Sequence, residues 1–280
     1  MNLKRYFVPT WLIYSSAVLL YAILRIASSA TPALSWWGLA LAAAAPLIFF
    51  AWIMLSRPAR TSPHPVAVSV ASGLGLGICM AGAYRYGASA GSVHVWAGLA
   101  VIGWFVYLKW YSGYGPEPDA VQTGKPLPEF ELLDENDQPV HSQEFIGTPT
   151  VLIFIRGNWC PFCTAQVRET AASYRKIEQL GAQVTLISNQ DKEKMEALAR
   201  KFDAPLRFMR DPGLHAAVAL GIIDAGGTVA GLGWLGYEAD AIRPAVIVTD
   251  AAGIVRYSSV TSNYRIRPEP EEFIQVLESL

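Results

Sequence analysis

Hydrophobic positions along this chain follow two regimes: long unbroken apolar runs up to about residue 111, and short alternating blocks from about residue 124 onward. A helix needs roughly 20 apolar residues to cross the hydrocarbon core of a bilayer. Four runs reach that length, at about 7–27, 35–55, 66–84 and 93–111. Separators holding turn formers and charges part them: Ser28–Ser35 with Pro32, Ser56–Pro65, and Arg85–Ser92. Trp36, Trp37, Trp110, Tyr111 and Tyr114 fall near the predicted span ends, where amphipathic rings favour the headgroup region. Gly73 and Gly77 have the GxxxG spacing that predicts close helix packing. The first run could also be a cleaved secretory signal, with Lys4 and Arg5 ahead of it and Ser28–Ala30 as a small-residue cleavage site. It is long for a signal and leads straight into another span, so we read four spans within residues 1–111.

Residues 112–123 read as a polar linker containing Gly and Pro. Beyond it, short strands are expected near 129–133 and 138–141, and the continuous run Thr150–Ile155 predicts a strand buried on both faces. A helix is expected from Cys160 to Leu180, a strand at Gln183–Ser188, a helix at Asp191–Phe202, a strand at Leu206–Met209 and a short helix at 214–220. The Gly-rich stretch 221–241 reads as a loop beside the site. Ala245–Thr249 and Ile254–Ser258 form a hairpin, and Glu269–Leu280 a closing helix. Strands alternating with helices indicate a three-layer α/β domain over 124–280, preceded by an all-α bundle of four transmembrane helices.

Charge sharpens the division. Of 280 residues, 52% are apolar and 16% charged, with mean hydropathy +0.28. Residues 1–115 carry seven Lys or Arg and no Asp or Glu, while the remainder holds all 23 acidic residues. The acidity of the second half argues against nucleic acid as a partner, and the first half implies the lipid bilayer. With four spans, Lys4, Arg5, Arg57, Arg60 and Lys109 share one side, against Arg25 and Arg85 on the other. Short basic loops stay in the cytoplasm. The expectation is a multi-pass protein of the cell (inner) membrane with a cytoplasmic C-terminal domain.

Three cysteines cannot build a secreted disulfide scaffold, and Cys79 lies in an apolar run. Cys160 and Cys163 stand in Trp159-Cys160-Pro161-Phe162-Cys163, after a buried strand and at the start of a helix. A helix N-terminus stabilises an anion, which favours the thiolate of Cys160, and Cys163 one turn later is suited to resolve the intermediate as a disulfide. Pro161 suits a first helical turn. Arg156, four residues before Cys160, adds positive charge or is simply solvated. A closed zinc site would need two further ligands, for which the domain offers only His141 and His215; both histidines read as ordinary surface or packing residues. No metal and no cofactor are expected. Within the spans, Cys79 and His94 are too little for an electron carrier.

From Gly124–Asp134 (GKPLPEFELLD), Val151–Cys163 (VLIFIRGNWCPFC), Leu180–Val184, Asp211–Gly213, Arg243–Asp250 (RPAVIVTD), Ile254–Tyr257, Tyr264 and Pro268–Phe273, the second half resembles peroxiredoxin-like proteins of the alkyl hydroperoxide reductase and thiol-specific antioxidant superfamily. The resemblance implies a thioredoxin fold with Cys160 attacking and Cys163 resolving. It puts Pro244 where that fold carries a cis-proline facing the CxxC, and Arg243 where peroxiredoxins place the arginine that lowers the thiolate pKa and orients peroxide. This chain departs from the pattern in three ways. Ile153 and Gly157 stand where a typical peroxide pocket has its proline and its Thr or Ser, Phe154 replaces the buried acid of thioredoxins, and Phe162 gives the Cys-Pro-aromatic-Cys of glutaredoxins.

The resulting expectation is a membrane-anchored thiol-disulfide oxidoreductase with antioxidant activity, acting on a hydroperoxide or a protein disulfide and served by a thiol reductant of the thioredoxin, glutaredoxin or glutathione type. Cys160, Cys163, Arg243 and Pro244 are the candidate catalytic residues; Trp159, Pro161, Phe162 and Arg156 are the candidate substrate-binding residues. Trp234 and Tyr237 form a lid over the site or a patch resting on the bilayer. The alternative is a redox-sensing or interaction module that signals its CxxC state without turnover.

Overall fold

The computed structural model describes residues 3–29, 34–86 and 93–280. Pro32, the Ala30 end of the possible cleavage site and residues 87–92 of the third separator lie outside the described residues. The chain divides into two compact units, one of Tyr6–Arg57 and Thr61–Gly113, the other of Tyr114–Leu280 with Pro58–Arg60 and the segment up to Arg5.

Four helices carry the apolar runs: α1 (Lys4–Ala27), α2 (Leu34–Ser56), α3 (Val66–Tyr86) and α4 (Val93–Val106), the last prolonged by a π turn over Tyr107–Tyr111. By length and composition α1, α2 and the Val93–Tyr111 helix can cross a membrane; the apolar part of α3, Val66–Gly82, is shorter. Their outward faces are apolar: Ile13, Ile48, Leu55, Leu74 and Ile102 are exposed, a surface suited to lipid rather than water. Trp37 and Trp110 are exposed near helix ends, whereas Tyr111 is buried against Tyr107 and Tyr114 belongs to the second unit.

Close packing in the bundle uses different glycines from the expected pair. A Cβ on Gly73 or Gly77 would meet nothing, because both lie on the exposed side of α3. The contact face is Ser72, Gly75, Cys79 and Gly82, spaced by three and four residues as one helical stripe requires. A Cβ on Gly75 would lie 2.4 Å from the backbone nitrogen of Ala42, and one on Gly38 2.4 Å from that of Cys79. Ser72 Oγ closes the crossing by donating to the Ala42 carbonyl at 2.9 Å. Cys79 is therefore a small buried packing residue.

In the second unit a seven-stranded sheet runs β2-β1-β5-β4-β3-β8-β9. Its strands are β1 (Glu131–Leu133), β2 (Pro139–His141), β3 (Thr150–Phe154), β4 (Gln183–Ser188), β5 (Arg207–Arg210), β8 (Ala245–Thr249) and β9 (Val255–Val260). β3, β4 and β5 are parallel; β8 is antiparallel to β3, and β9 is antiparallel to β8. Helices lie between and after them: α5 (Pro161–Ala172), α6 (Tyr174–Gln179), α7 (Lys192–Ala199), α8 (His215–Ala219) and α9 (Pro270–Glu278). Every residue of β3 and β8 is buried, as expected for strands covered on both faces. Leu152 and Phe154 join Ile187, Met209, Ile247 and α8 in one apolar core.

This is the mixed α/β sheet of a thioredoxin-like fold. The expected Cys160–Leu180 helix breaks at Ser173, whose N–H still reaches the carbonyls of Glu169 and Thr170. Part of the expected loop at 221–241 is ordered as a two-stranded ribbon, β6 (Ile223–Asp224) with β7 (Ala241–Ile242).

Replacing Gly75 with Val should weaken the bundle by about 1–3 kcal/mol through overpacking, while Gly73→Val should leave it unchanged. The measurement is thermal unfolding in detergent, followed by tryptophan fluorescence.

Candidate active site

β3 delivers the chain at its C-terminal end, where the sequence must turn sharply to start α5. Gly157 makes the turn with φ +142°, a conformation that side-chain-bearing residues rarely adopt, and a Cβ there would lie 2.8 Å from Trp159 Nε1. Cys160 N–H donates to the Gly157 carbonyl at 3.2 Å, and Asn158 N–H donates to Gln190 Oε1 at 2.9 Å, tying the turn to the end of β4. Cys160 is then the N-cap of α5, with Pro161 in the first turn.

Cys160 and Cys163 are both free thiols and both buried, at 1% and 0% exposure. The expected helix-terminus stabilisation of Cys160 is not made by its side chain, which caps none of the free N–H groups of α5. Cys160 instead hydrogen-bonds Cys163. That bond, reinforced by burial, holds its thiol well above the usual range. Burial alone would push the Cys163 thiol up. The hydrogen bond from Cys160, the Arg267 guanidinium and the Arg156 backbone N–H outweigh it, bringing Cys163 down to about 5.

Arg156 is not solvated: it is 3% exposed, pairs with Asp224 at 3.4 Å, donates to the Gly227 carbonyl, and lies 4.8 Å from the ring centres of both Trp159 and Tyr264. Phe162 is buried and packs edge-on against Tyr264 at 5.7 Å. Trp159 and Pro161 are half-buried and form the accessible rim beside Cys160.

Arg243 makes its hydrogen bonds elsewhere. Its guanidinium donates to the carbonyls of Thr261 (2.9 Å), Pro116 (2.9 Å), Gly115 (3.0 Å) and Val260 (3.4 Å) and stacks over Tyr114. It thus fastens the start of the expected linker to the sheet. The peptide bond entering Pro244 is trans, as are all those of the described residues. His141 and His215 are exposed, and among the described residues no group of three His, Cys, Asp or Glu could hold a metal.

Sequence reasoning missed Arg267, Asp224 and Gln190. For Arg267 there was a signal: a cation three residues before the first turn of α9, where the helix dipole disfavours positive charge. Of the two aromatics in the Gly-rich stretch, Trp234 is 96% exposed. Tyr237 reaches the site, its OH donating to Asn158 Oδ1 at 2.6 Å and its ring lying 4.6 Å from Lys194 Nζ.

A CxxC at the junction of a buried strand and a helix, within this sheet, defines a thiol oxidoreductase domain of the thioredoxin fold. Residues 123–258 match the AhpC/TSA family, so the domain is peroxiredoxin-like. Among curated relatives, chloroplastic peroxiredoxin Q of Sedum lineare is 29% identical over 163 residues, covering 57% of this chain and 80% of that protein. The Arabidopsis thaliana peroxiredoxin Q is 36% identical over 93 residues, covering 33% of this chain and 43% of the relative. Among solved structures, peroxidoxin BcpB from Mycobacterium tuberculosis aligns with 57% of this chain and 98% of its own, at 18% identity and TM-score 0.47. AhpC of Enterococcus faecalis aligns with 57% and 92%, at 14% identity and TM-score 0.47.

Tyr237→Phe should cost about 1 kcal/mol, the worth of one hydrogen bond to a partly buried partner. It should also raise hydrogen exchange in 226–240 while leaving the core strands protected. Denaturant midpoint and exchange mass spectrometry on the full chain check both.

Proposed function

We propose that this protein is a membrane-anchored thiol peroxidase that cycles Cys160 and Cys163 between dithiol and disulfide. The carrying observation is that two buried cysteines stand one turn apart at the start of α5, with the Arg267 guanidinium 3.9 Å from Cys163 Sγ. Such a pair holds a thiolate near neutral pH and has its second thiol in place to close a disulfide. The curated relatives carry the name peroxiredoxin, which supports a hydroperoxide over a protein disulfide as substrate. The rim of Trp159 and Pro161 is where substrate and then reductant would approach. A thiol reductant of the thioredoxin, glutaredoxin or glutathione type restores the dithiol. The excess of Lys4, Arg5, Arg57, Arg60 and Lys109 over Arg25 and Arg85 supports a cytoplasmic domain, and the apolar helices favour substrates that reside in or near the bilayer.

The test is stopped-flow fluorescence of the reduced full chain in nanodiscs mixed with hydrogen peroxide and with an organic hydroperoxide, followed by mass analysis. We expect a second-order rate orders of magnitude above that of a free thiol and one Cys160–Cys163 disulfide per chain. The disulfide should be absent in Cys160→Ser and in Cys163→Ser. A free-thiol rate would exclude the peroxidase.

A further inference from the structure

The Gly-rich stretch between β6 and β7 ends in a 3-10 turn, Leu232–Leu235, that presents Trp234 and Leu235 to the outside at 96% and 65% exposure. From Ala225 to Tyr237 the chain carries no charged side chain. The N–H groups of Leu232, Trp234, Gly236 and Tyr237 donate to the carbonyls of Val229, Gly231, Gly233 and Leu232, so the tip can leave water without stranding those donors. Its stem is fixed by the β6–β7 pairing, by Thr228 N–H on the Ala239 carbonyl at 3.1 Å and by Gly226 N–H on Asp240 Oδ1 at 2.7 Å. A rigid stem that carries a fully exposed tryptophan at an uncharged tip calls for a partner that takes an amphipathic ring.

The start of α1 says which partner. Lys4 Nζ pairs with Asp224 Oδ1 at the foot of the ribbon at 2.6 Å, and Ala230 N–H donates to the Arg5 carbonyl at 2.8 Å. A Cβ on Gly233 would lie 3.7 Å from Arg5 Nη2, so the Arg5 side chain borders the tip as well. Lys4 and Arg5 open a helix able to cross a membrane, and its apolar run begins at about residue 7. A segment bonded to Arg5 is therefore held at the depth where the chain passes from headgroups into hydrocarbon, beside two cations suited to lipid phosphates.

We propose that the Gly231–Gly236 turn is a membrane-interface anchor, with Trp234 and Leu235 inserted among the headgroups and upper acyl chains of the bilayer next to the entry of α1. Tryptophan favours that region, where its ring is half apolar and its N–H stays wet. Two apolar side chains are too few for a stable protein interface. They suffice here because the covalent link through Arg5 makes insertion intramolecular. Tyr237 closes the same loop onto Asn158, its OH donating to Asn158 Oδ1 at 2.6 Å, so insertion also holds the turn before Cys160 close to the lipid surface.

The test uses the full chain in nanodiscs of phosphatidylcholine and phosphatidylglycerol. In the unaltered chain, a phosphatidylcholine carrying a diazirine on its upper acyl chain is photolysed, and peptide mass analysis should find adducts on Trp234 or Leu235 and none at the Asp250–Gly253 turn, at the other end of the sheet. In a chain with Cys79, Cys160 and Cys163 replaced by Ala, a nitroxide on Leu235→Cys should collide with oxygen in preference to a water-soluble nickel complex, and one on the exposed Ala251→Cys should show the reverse. Adding Trp234→Ser to Leu235→Cys should lower the ratio of inserted to aqueous label by about tenfold or more, as loss of one buried aromatic side chain requires. Adducts confined to the four helices, or a Leu235→Cys label as open to nickel as that on Ala251→Cys, overturn the proposal. A label shielded from both reagents, with shielding that grows with the number of chains per disc, overturns it in favour of a contact between copies. None of these readouts depends on the redox chemistry, so the anchor and the peroxidase stand or fall separately.

Discussion

A buried arginine cannot shed its proton, so the protein around it must supply the balancing charge. Two arginines press this demand on the same sulfur. Arg156 shares Asp224 with Lys4, while among the described residues Arg267 has no carboxylate within ion-pairing distance and lies 3.9 Å from the Cys163 sulfur. The site is organised by this unequal settlement. Both guanidiniums act through their charge on both cysteines, and Arg156 adds a backbone N–H, so the field at the thiol pair favours one negative charge shared by a coupled pair.

Holding those groups in place is the work of two rigid anchors. β3 is buried along its whole length and pairs with β4 on one side and β8 on the other, so the turn beginning at Arg156 starts from a fixed point. Gly157 then brings Asn158 within reach of Gln190. Arg267 is held by a second construction: Asn263 accepts N–H groups from Arg265 and Ile266, and the reciprocal bonds of Glu269 and Glu272 begin α9 immediately afterwards. A guanidinium placed between a side-chain-stabilised turn and a capped helix loses little freedom when it faces the sulfur, which is the condition for preorganised electrostatics.

The fold was legible because its signals are local. The run Thr150–Ile155, the α5 start at Pro161 and the Asp250–Gly253 hairpin turn are each written in a few consecutive residues, and the structure places strands and helices there within a few positions. The CxxC was legible for the same reason. Charge balance was not, because it is a property of burial: Arg243 and Arg267 look alike in sequence, and only the folded chain shows the first bonded to four backbone carbonyls and the second to a sulfur. The bundle repeats the lesson. GxxxG spacing marked Gly73 and Gly77, yet the face that meets α2 is set by its orientation, which brings Gly75 and Gly82 there instead.

The departures from the family pattern then become consistent with one another. Phe154, at the position of the thioredoxin acid, packs edge-on against Phe130 within the apolar core and can move no proton. A thiol attacking a peroxide nevertheless needs a proton delivered to the leaving oxygen as the O–O bond breaks. In the proposed dithiol cycle the partner thiol one helical turn away is the group placed to deliver it, so Ile153 and Phe154 need play no part in proton transfer and pack as core residues.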